Sequence, residues 1–269
     1  MKKIFIIIGA TIVLAAFWSQ RVAIQDFFIA LNKPDIPPVV DYATIEKELV
    51  ATPDKNVEPE ASPKPTPVDV PPTTTNDQPQ TGIAKAINLA VPFQPQAPFA
   101  QWVEPYKEAC EEASLIMVDY YLRGKLLTPE DMKREIDRQV AWQYENFSGH
   151  WDLSIEQEEV LGRAFYDHKF LKLPNLTANI IKEQLNLGRP VIIPAAGREL
   201  GNPYFQTPGP LYHMLVIKGY TADRRFITND PGTRRGADFI YDEDVLMAAI
   251  KDWDGVAPAG AKIGLVMYK

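Results

Sequence analysis

Apolar side chains divide the chain into three regions. Residues 4–18 are uncharged and mostly apolar, residues 34–80 contain few large apolar side chains, and later apolar positions recur at helix and strand spacings. A polar stretch cannot bury enough apolar surface to offset the entropy lost on folding. The pattern therefore predicts an N-terminal membrane anchor or signal segment over 1–33, a disordered proline-rich linker over 34–85 and one folded domain over 86–269.

Helices are predicted in the first half of this domain. From Cys110 onward, apolar residues recur at helical spacing, which indicates an amphipathic helix. Each of the next three predicted helices begins at a residue whose side chain can accept hydrogen bonds from the first helical turn. These residues are Thr128, which is followed by Pro129, Ser154, which has Gln157 three positions later, and Thr177.

Strands are predicted mainly in the second half. Short β-branched and apolar runs bounded by glycine, proline, aspartate or asparagine are typical of strands. They lie at 86–93, 190–195, 212–220, 225–229, 237–241 and 263–268, with a glycine- and proline-rich loop at 197–210 and a further helix at 242–253. Helices followed by antiparallel strands indicate an α+β fold.

The apolar N-terminal run favours attachment to a membrane. Lys2 and Lys3 precede fifteen uncharged residues, which as a helix would span about 22 Å of a hydrocarbon core about 30 Å thick. A signal-peptide core has a similar length, but the cleavage pattern of small residues is weak here. We expect a single-pass cell-membrane protein with an extracytoplasmic domain, or a secreted protein if the segment is cleaved.

The linker contains eleven of the chain's 24 prolines between residues 34 and 80. Such a composition is typical of an extended, polyproline-like spacer, although a ligand for a proline-recognising domain is an alternative. Residues 41–50 have the composition for one or two helical turns.

Composition narrows the possible partners. The net charge of −7 argues against nucleic acid as a partner. One cysteine cannot form an internal disulfide, and no cluster of cysteine and histidine has the spacing of a metal site. We therefore predict no metal and no cofactor.

Cys110, the single cysteine, is a candidate nucleophile because it opens a predicted helix. The first turn of a helix has unpaired backbone N–H groups and the positive end of the helix dipole, which both stabilise a thiolate. We expect them to lower the pKa of the thiol from about 8.5 toward neutrality. The alternative is that Cys110 is a small buried hydrophobic residue without a chemical role.

Among the three histidines, His213 is the candidate base. It opens the strand 212–220 after a flexible loop, so its side chain can project into a cleft. His150 lies in a Ser-Gly-His-Trp loop and His168 at a helix end, and we interpret both as solvated or packed side chains. A cysteine followed by a histidine and then by asparagine or aspartate is the order of papain-like sites.

Sheet geometry selects between Asn229 and Asp230 as the third group. Adjacent strand residues point to opposite faces, so only one of the two can face His213. A four-residue loop at 221–224 places Asp230 opposite Leu215 and on the face of His213. A loop one residue shorter or longer would select Asn229 instead.

Several short motifs occur together in this domain. They are Val91-Pro92-Phe93-Gln94-Pro95-Gln96-Ala97-Pro98, Ala109-Cys110 with Ala113-Ser114, Tyr212-His213 leading to Lys218-Gly219-Tyr220, and Asn229-Asp230-Pro231. In these motifs the domain resembles the stand-alone relatives of the double-glycine bacteriocin-leader peptidases. The resemblance implies a papain-like cysteine peptidase fold and a catalytic triad of Cys110, His213 and Asp230. It also implies an oxyanion-hole glutamine, for which Gln96 is the candidate and Gln101 the rival.

The chain departs from that family in one motif. Gly-Pro usually follows the cysteine, and here Glu111 and Glu112 stand in its place. Carboxylates in a first helical turn favour the helix, which makes capping their plainest role, but beside a thiolate they oppose its formation. They predict a slower enzyme or one that acts on a basic substrate. The phosphate-binding Gly-x-x-x-x-Gly-Lys-Ser/Thr motif of transporter-linked members does not occur in the sequence.

The leading hypothesis is a membrane-tethered thiol hydrolase, a cysteine peptidase that acts on a peptide or protein substrate. Two alternatives stay open. One is a cell-wall amidase or endopeptidase with a Cys-His site, and the other is a non-catalytic peptide-binding module of the same fold.

Overall fold

The structure, a computed structural model, describes residues 36–51 and 84–269. Most of the second of two compact units, Pro37–Lys269, falls within these ranges. The predicted anchor and the linker residues 52–83 lie outside the described residues. Within the two described ranges, no helix is both long and apolar enough to cross a membrane.

Helices and an antiparallel sheet make up the folded unit. The helices of the described ranges are α1 Tyr42–Ala51, α2 Cys110–Leu122, α3 Pro129–Asn146, α4 Ile155–Phe165, α5 Ala178–Asn186 and α6 Glu243–Ala249, with short 3₁₀ helices at Tyr106–Glu108 and Gly197–Leu200. The strands are β1 Ile87–Asn88, β2 Lys169–Pro174, β3 Val191–Ala196, β4 Tyr212–Tyr220, β5 Arg225–Asn229, β6 Phe239–Asp242 and β7 Ile263–Tyr268. These strands form one sheet in the order β2-β7-β3-β4-β5-β6, with β1 paired to β4, and each pairing is antiparallel. The predicted α+β class is confirmed.

Side-chain caps set the starts of three helices. Thr128 and Ser154 each accept a hydrogen bond from the backbone N–H three residues later. The side chains at those later positions, Asp131 and Gln157, in turn accept a hydrogen bond from the backbone N–H of the cap residue. Thr177 caps α5 through a bond of the first kind. A cap of this type stabilises a helix by about 1 kcal/mol. Helices α3, α4 and α5 therefore begin where the sequence predicts them.

Strand β1 is much shorter than the predicted strand 86–93. The edge of β4 that β1 joins is occupied by β3 as far as Ile217, so β1 pairs only with Gly219 and Tyr220. A Cβ at Gly219 would come within 2.3 Å of Ile87 O, so this close pairing requires a glycine.

Two further elements differ from the prediction. The helix predicted over 242–253 ends at Ala249 because Ile250 is extended and pairs with Ala195. The edge strand β2 was not predicted, since its exposed lysines and modest apolar content give a weak strand signal.

Residues 37–51 pack on the folded unit, although the sequence assigned them to the linker. Ile45 is 4% exposed, and the rings of Tyr42 and Tyr121 meet edge-to-face with centroids 5.7 Å apart. Val40 also pairs with Leu89 in an isolated bridge. The compact unit therefore begins at residue 37 rather than at 86, and the helical turns predicted for 41–50 are present as α1.

Helix α2 lies at the centre of the core. All thirteen of its residues are buried, because the helix packs against β4 and β7 on one side and α3 on the other. The expectation of a single buried face is wrong. Burial on every side also encloses three carboxylates, Glu111, Glu112 and Asp119. Each of them must find polar partners inside the protein.

Candidate active site

Cys110 begins α2 and its side chain lies beside the first residues of β4. The residue is 5% exposed. Its Sγ accepts a hydrogen bond from the backbone N–H of Met214 at 3.4 Å, and the thiol donates to Glu111 Oε2 at 3.1 Å. Within the described part of the chain these are the hydrogen bonds of the thiol, and the His213 ring is not one of its partners.

The pKa of the Cys110 thiol is raised, which reverses the expectation drawn from the helix start. Burial is the largest cause, followed by the neighbouring Glu111 carboxylate and then by Asp152. The Met214 N–H lowers the pKa, but its effect is smaller. A desolvated thiolate beside carboxylates is disfavoured, so the thiol is the favoured form in this arrangement.

His213 lies in the second position of β4 and contacts Asp230. Its Nε2 is 2.7 Å from Asp230 Oδ1, and both residues are buried. Because Nε2 is committed to the carboxylate, Nδ1 is the ring nitrogen left for a thiol. Phe205 packs edge-on against the imidazole at 5.3 Å between centroids. A Cβ at Gly232 would come within 2.8 Å of the ring, so glycine is required beside it.

The pairing of β4 with β5 differs from the predicted register at the turn. Tyr220 pairs with Phe226 instead of Arg225, so the connecting loop is one residue longer than expected. An irregularity between Ile217 and Gly219 then adds one residue on β4. The two deviations cancel, so the strand residues nearer the site keep the predicted pairing.

Beyond that irregularity the register is the predicted one. Val216 pairs with Asn229, and the next residue, Asp230, contacts His213. Asn229 points elsewhere, and its amide donates to Val91 O at 3.0 Å. The geometry therefore brings Asp230, and not Asn229, to the imidazole.

Asp230 is surrounded by hydrogen-bond donors. Tyr241 Oη and Asn202 Nδ2 donate to its Oδ2 at 2.6 and 2.9 Å, and the backbone N–H of Gly232 donates to Oδ1 at 3.0 Å. Burial by itself raises the pKa of Asp230, but His213 and these donors outweigh it, and the net pKa is lowered. The carboxylate is therefore held in its charged form.

Sequence reasoning missed Asn202 and Tyr241. Asn202 lies in the predicted loop 197–210 and Tyr241 in β6, and neither position has a motif that ties it to Asp230. The one available signal was that a buried tyrosine hydroxyl needs a partner. That rule does not say which partner it will find.

Gln96 makes a different set of contacts from the one expected of an oxyanion-hole residue. Its Nε2 donates to Tyr106 O at 3.1 Å and to Lys107 O at 2.9 Å, so both amide hydrogens are taken by backbone carbonyls. Its backbone N–H donates to Pro231 O at 3.0 Å. Gln96 thus links the segment that precedes Cys110 to the loop that follows Asp230. The rival Gln101 is exposed, and the oxyanion role of either residue stays a prediction.

The two glutamates after Cys110 do not cap the helix. Glu111 Oε1 accepts a hydrogen bond from the backbone N–H of Leu153 at 3.1 Å, and Oε2 accepts from the thiol. Glu112 accepts from Gln143 and lies 3.1 Å from His150 Nε2. Burial, and then the charge of Glu112, raises the pKa of Glu111.

Glu158 on α4 completes this buried group of carboxyls. It is 0% exposed, and neither of its oxygens accepts a hydrogen bond from a described residue. Burial raises its pKa, and the charges of Glu111 and Glu112 raise it further. The protein therefore holds an unsatisfied carboxyl close to the start of α2.

The other two histidines are packed side chains. His168 Nε2 lies 3.0 Å from Asp119 Oδ1, and its ring stacks on Tyr166. Burial lowers the pKa of His150, but Glu112, together with Glu104 and Glu108, more than offsets this and the net pKa is raised. Within residues 36–51 and 84–269, no group of three or more His, Cys, Asp or Glu side chains is arranged to hold a metal ion.

A family comparison covers most of the folded unit. Residues 88–257 match the sequence model of the Peptidase_C39 like family. The chain belongs to this family. The resemblance to the double-glycine leader peptidases is thereby confirmed at the level of the family. No curated protein matches the chain.

Solved structures similar to this chain include one from a bacterium. It is the crystal structure of a proposed C39-like peptidase from Bacillus anthracis, with 16% sequence identity and a TM-score of 0.41. The alignment covers 67% of this chain and 95% of that chain.

Membership of the Peptidase_C39 like family points to a hydrolase of the cysteine-peptidase type, which implies a peptide or protein substrate. The matched range contains Cys110, His213 and Asp230 as well as both candidate glutamines. Helix α1 and strand β7 lie outside it.

Proposed function

We propose that this member of the Peptidase_C39 like family is a cysteine peptidase with a papain-like core, in which Cys110, His213 and Asp230 form the catalytic triad. The observation that carries the proposal is the buried bond of 2.7 Å between His213 Nε2 and Asp230 Oδ1. The Cys110 thiol supports it, because Sγ is bound to the backbone N–H of the residue after His213.

In the proposed mechanism, His213 Nδ1 takes the thiol proton as the thiolate forms. The thiol first turns away from Glu111, to which it donates in the resting arrangement. The thiolate attacks the peptide carbonyl carbon, and the C–N bond then breaks as the imidazolium gives its proton to the leaving amine, which leaves the acyl group on Cys110 as a thioester. Water, deprotonated by His213, hydrolyses the thioester. Asp230 stabilises the imidazolium and orients the ring.

The oxyanion of the tetrahedral intermediate needs hydrogen-bond donors. The backbone N–H of Cys110 is one candidate, because the first turn of a helix leaves such groups unpaired. The Gln96 amide is the second. It would have to exchange one of its two backbone carbonyls for the oxyanion when substrate binds.

The test uses the single cysteine of the full-length protein in mild detergent. A peptide probe with a cysteine-reactive group should label Cys110, and His213→Ala should slow labelling by about 100-fold or more. His168→Gln is the matched control, because His168 pairs with Asp119 away from the thiol, and it should label at the wild-type rate.

Equal labelling rates in the wild type and His213→Ala would contradict the triad. Labelling only after unfolding would favour the non-catalytic binding module, an alternative with which the 5% exposure of Cys110 is consistent. Release of peptidoglycan fragments in place of peptide cleavage would identify the cell-wall amidase alternative.

We also propose that residues 1–33 attach the protein to the cell membrane, with the peptidase domain outside the cytoplasm. The support is the uncharged run after Lys2 and Lys3. Full-length protein should stay with membranes after an alkaline carbonate wash, and removal of residues 1–33 should release it in active form. A mature N-terminus near residue 17 would instead identify a cleaved signal peptide.

A further inference from the structure

A cavity of about 460 Å³ lies between two surface loops. The first loop and the start of α4 contribute Trp151, Asp152, Ser154 and Gln157, and the second loop contributes Trp253 and Asp254. Pockets that bind small molecules measure about 300–1,000 Å³. The cavity can therefore hold one long amino-acid side chain.

Hydrogen bonds hold the first loop, and a ring contact holds the second, to residues next to the proposed active-site groups. The backbone N–H of Leu153 donates to Glu111 Oε1 at 3.1 Å, and the Tyr212 hydroxyl donates to Leu153 O at 2.7 Å. The ring of Tyr212 also packs against that of Trp253, with centroids 5.3 Å apart. The charge of Asp152 in the cavity wall raises the pKa of the Cys110 thiol, and His213 in turn lowers the pKa of Asp152, so this wall lies near the reacting groups.

Two indole rings form apolar walls of the cavity. Trp151 is 47% exposed, and its ring covers Gly149, where an added Cβ would lie within 1.9 Å of a ring carbon. Gly149 therefore sets the position of this ring. Trp253 is held by its contact with Tyr212. The faces of tryptophan rings attract cations.

The cavity has acidic side chains in its lining and no lysine or arginine. The carboxylate of Asp254 is hydrogen-bonded within its own turn, where it accepts from Val256 N at 2.9 Å and Ala257 N at 2.8 Å. The carboxylate of Asp152 has no hydrogen bond and no ion pair with any residue of the described ranges. Burial and the nearby Glu108 raise the pKa of Asp152 to about 6 against the opposite effect of His150 and His213, and a bound cation would further stabilise its charged form.

We propose that this cavity binds the lysine or arginine side chain of a peptide substrate, and that Asp152 determines this specificity. The proposal rests on the proposed peptidase function. An acidic side chain would be repelled by the carboxylates, and a neutral one would leave only His150 and His213 to offset the burial of Asp152 and the charge of Glu108. A long basic side chain can place its methylene groups between the indoles and its charge at Asp152.

The test compares peptide probes that differ by one charge. Each carries a vinyl sulfone, with lysine in one probe and the uncharged norleucine in the other, at the first or the second residue before the reactive group. Cys110 of the full-length protein should react about tenfold faster or more with the lysine probe at one of these positions. Asp152→Asn should bring the ratio of the two rates close to one.

Asp244→Asn is the matched control, because it removes one carboxylate, 82% exposed, that does not line the cavity. It should leave the ratio unchanged. Equal rates at both positions in the wild type would overturn the proposal, and so would a lysine preference that survives Asp152→Asn.

A binding measurement separates this proposal from the peptidase function. In the full-length Cys110→Ala variant, calorimetry should find that an end-blocked hexapeptide whose only charged residue is a lysine binds about tenfold tighter or more than its norleucine counterpart. Asp152→Asn should abolish the difference. If the probes fail to label Cys110 while this preference holds, the peptidase function is wrong and the basic subsite stands. Equal binding of the two peptides overturns the subsite whatever the labelling result.

Discussion

Asp230 and Glu158 are two fully buried carboxyl groups with opposite electrostatic outcomes. Each is 0% exposed, and burial raises the pKa of both. Asp230 accepts hydrogen bonds from Tyr241, Asn202 and Gly232 and contacts His213, and its net pKa is lowered. Glu158 has no hydrogen-bond partner among the described residues, and its pKa stays raised. The charge of His213 and the donors that tertiary contacts supply, and not burial, decide which carboxyl keeps its charge.

The difference follows from where the two residues lie. Asp230 follows the end of β5. At this point Asn202, the turn at Gly232 and Tyr241 of β6 come together, and each provides a hydrogen-bond donor to the carboxylate. Glu158 lies on the buried face of α4, and the charged groups that raise its pKa are the carboxyls of Glu111 and Glu112 on α2. A strand end that meets loops can build a charged site, whereas a helix face inside the core offers few donors.

Removing the satisfied carboxylate should have the largest effect. Asp230→Ala leaves His213 without its partner, and we expect kcat/KM for a peptide substrate to fall about 100-fold or more. Asn229→Ala is the matched control, because the Asn229 amide binds Val91 O and should affect stability more than catalysis. The reverse ranking of the two variants would overturn the assignment of Asp230.

Removing the unsatisfied carboxyl should stabilise the protein. The folded-state pKa of Glu158 is raised above the unfolded value, so its contribution to stability is complete below the unfolded pKa and is lost as pH rises through the folded pKa. A glutamine at this position would carry no charge and would avoid this loss. Urea unfolding of Glu158→Gln should therefore give a gain of about 1–3 kcal/mol over the wild type at pH 8, and a smaller gain at pH 5.

The neighbouring Glu159 supplies the control for that measurement. It binds Arg163 and Lys172, and these partners outweigh its partial burial and lower its pKa. Glu159→Gln should change stability by less than about 1 kcal/mol, in the destabilising direction. A gain for Glu159→Gln, or none for Glu158→Gln at pH 8, would show that partners do not explain the contrast.

Glu111 is intermediate between Asp230 and Glu158, because it accepts hydrogen bonds but its pKa is still raised. Its replacement should have the smallest effect. Glu111→Gln removes the carboxylate that raises the pKa of Cys110, so iodoacetamide should alkylate the thiol about 3- to 10-fold faster at neutral pH. The midpoint of the alkylation profile should move to lower pH.

Glu112→Gln is the control for this variant, because the Glu112 carboxylate contacts Gln143 and His150 rather than the thiol. It should shift the profile less. An unchanged profile in Glu111→Gln would mean that burial alone holds the thiol in its protonated form.

Local chemistry was sufficient to predict many elements of the fold. The caps Thr128, Ser154 and Thr177 mark helix starts because the bonds they accept lie within one turn of the chain. Strand β4 was recognisable as a long apolar run beginning next to a histidine, and β7 as a short closing one. These signals depend only on neighbouring residues, so they can be read without knowing the rest of the fold.

Long-range contacts decided the details of the candidate site. The extra residue in β4 and the longer loop at residues 221–225 have opposite effects on the strand register and cancel, and no local sequence pattern predicts either one. The donors to Asp230 come from Asn202 and Tyr241, which are 28 and 11 residues away along the chain. The prediction that the helix start lowers the pKa of Cys110 was wrong, because burial and the Glu111 carboxylate outweigh the effect of the backbone N–H groups. Sequence order could name Cys110 as a candidate, but burial and charge at that position arise only when the chain has folded around it.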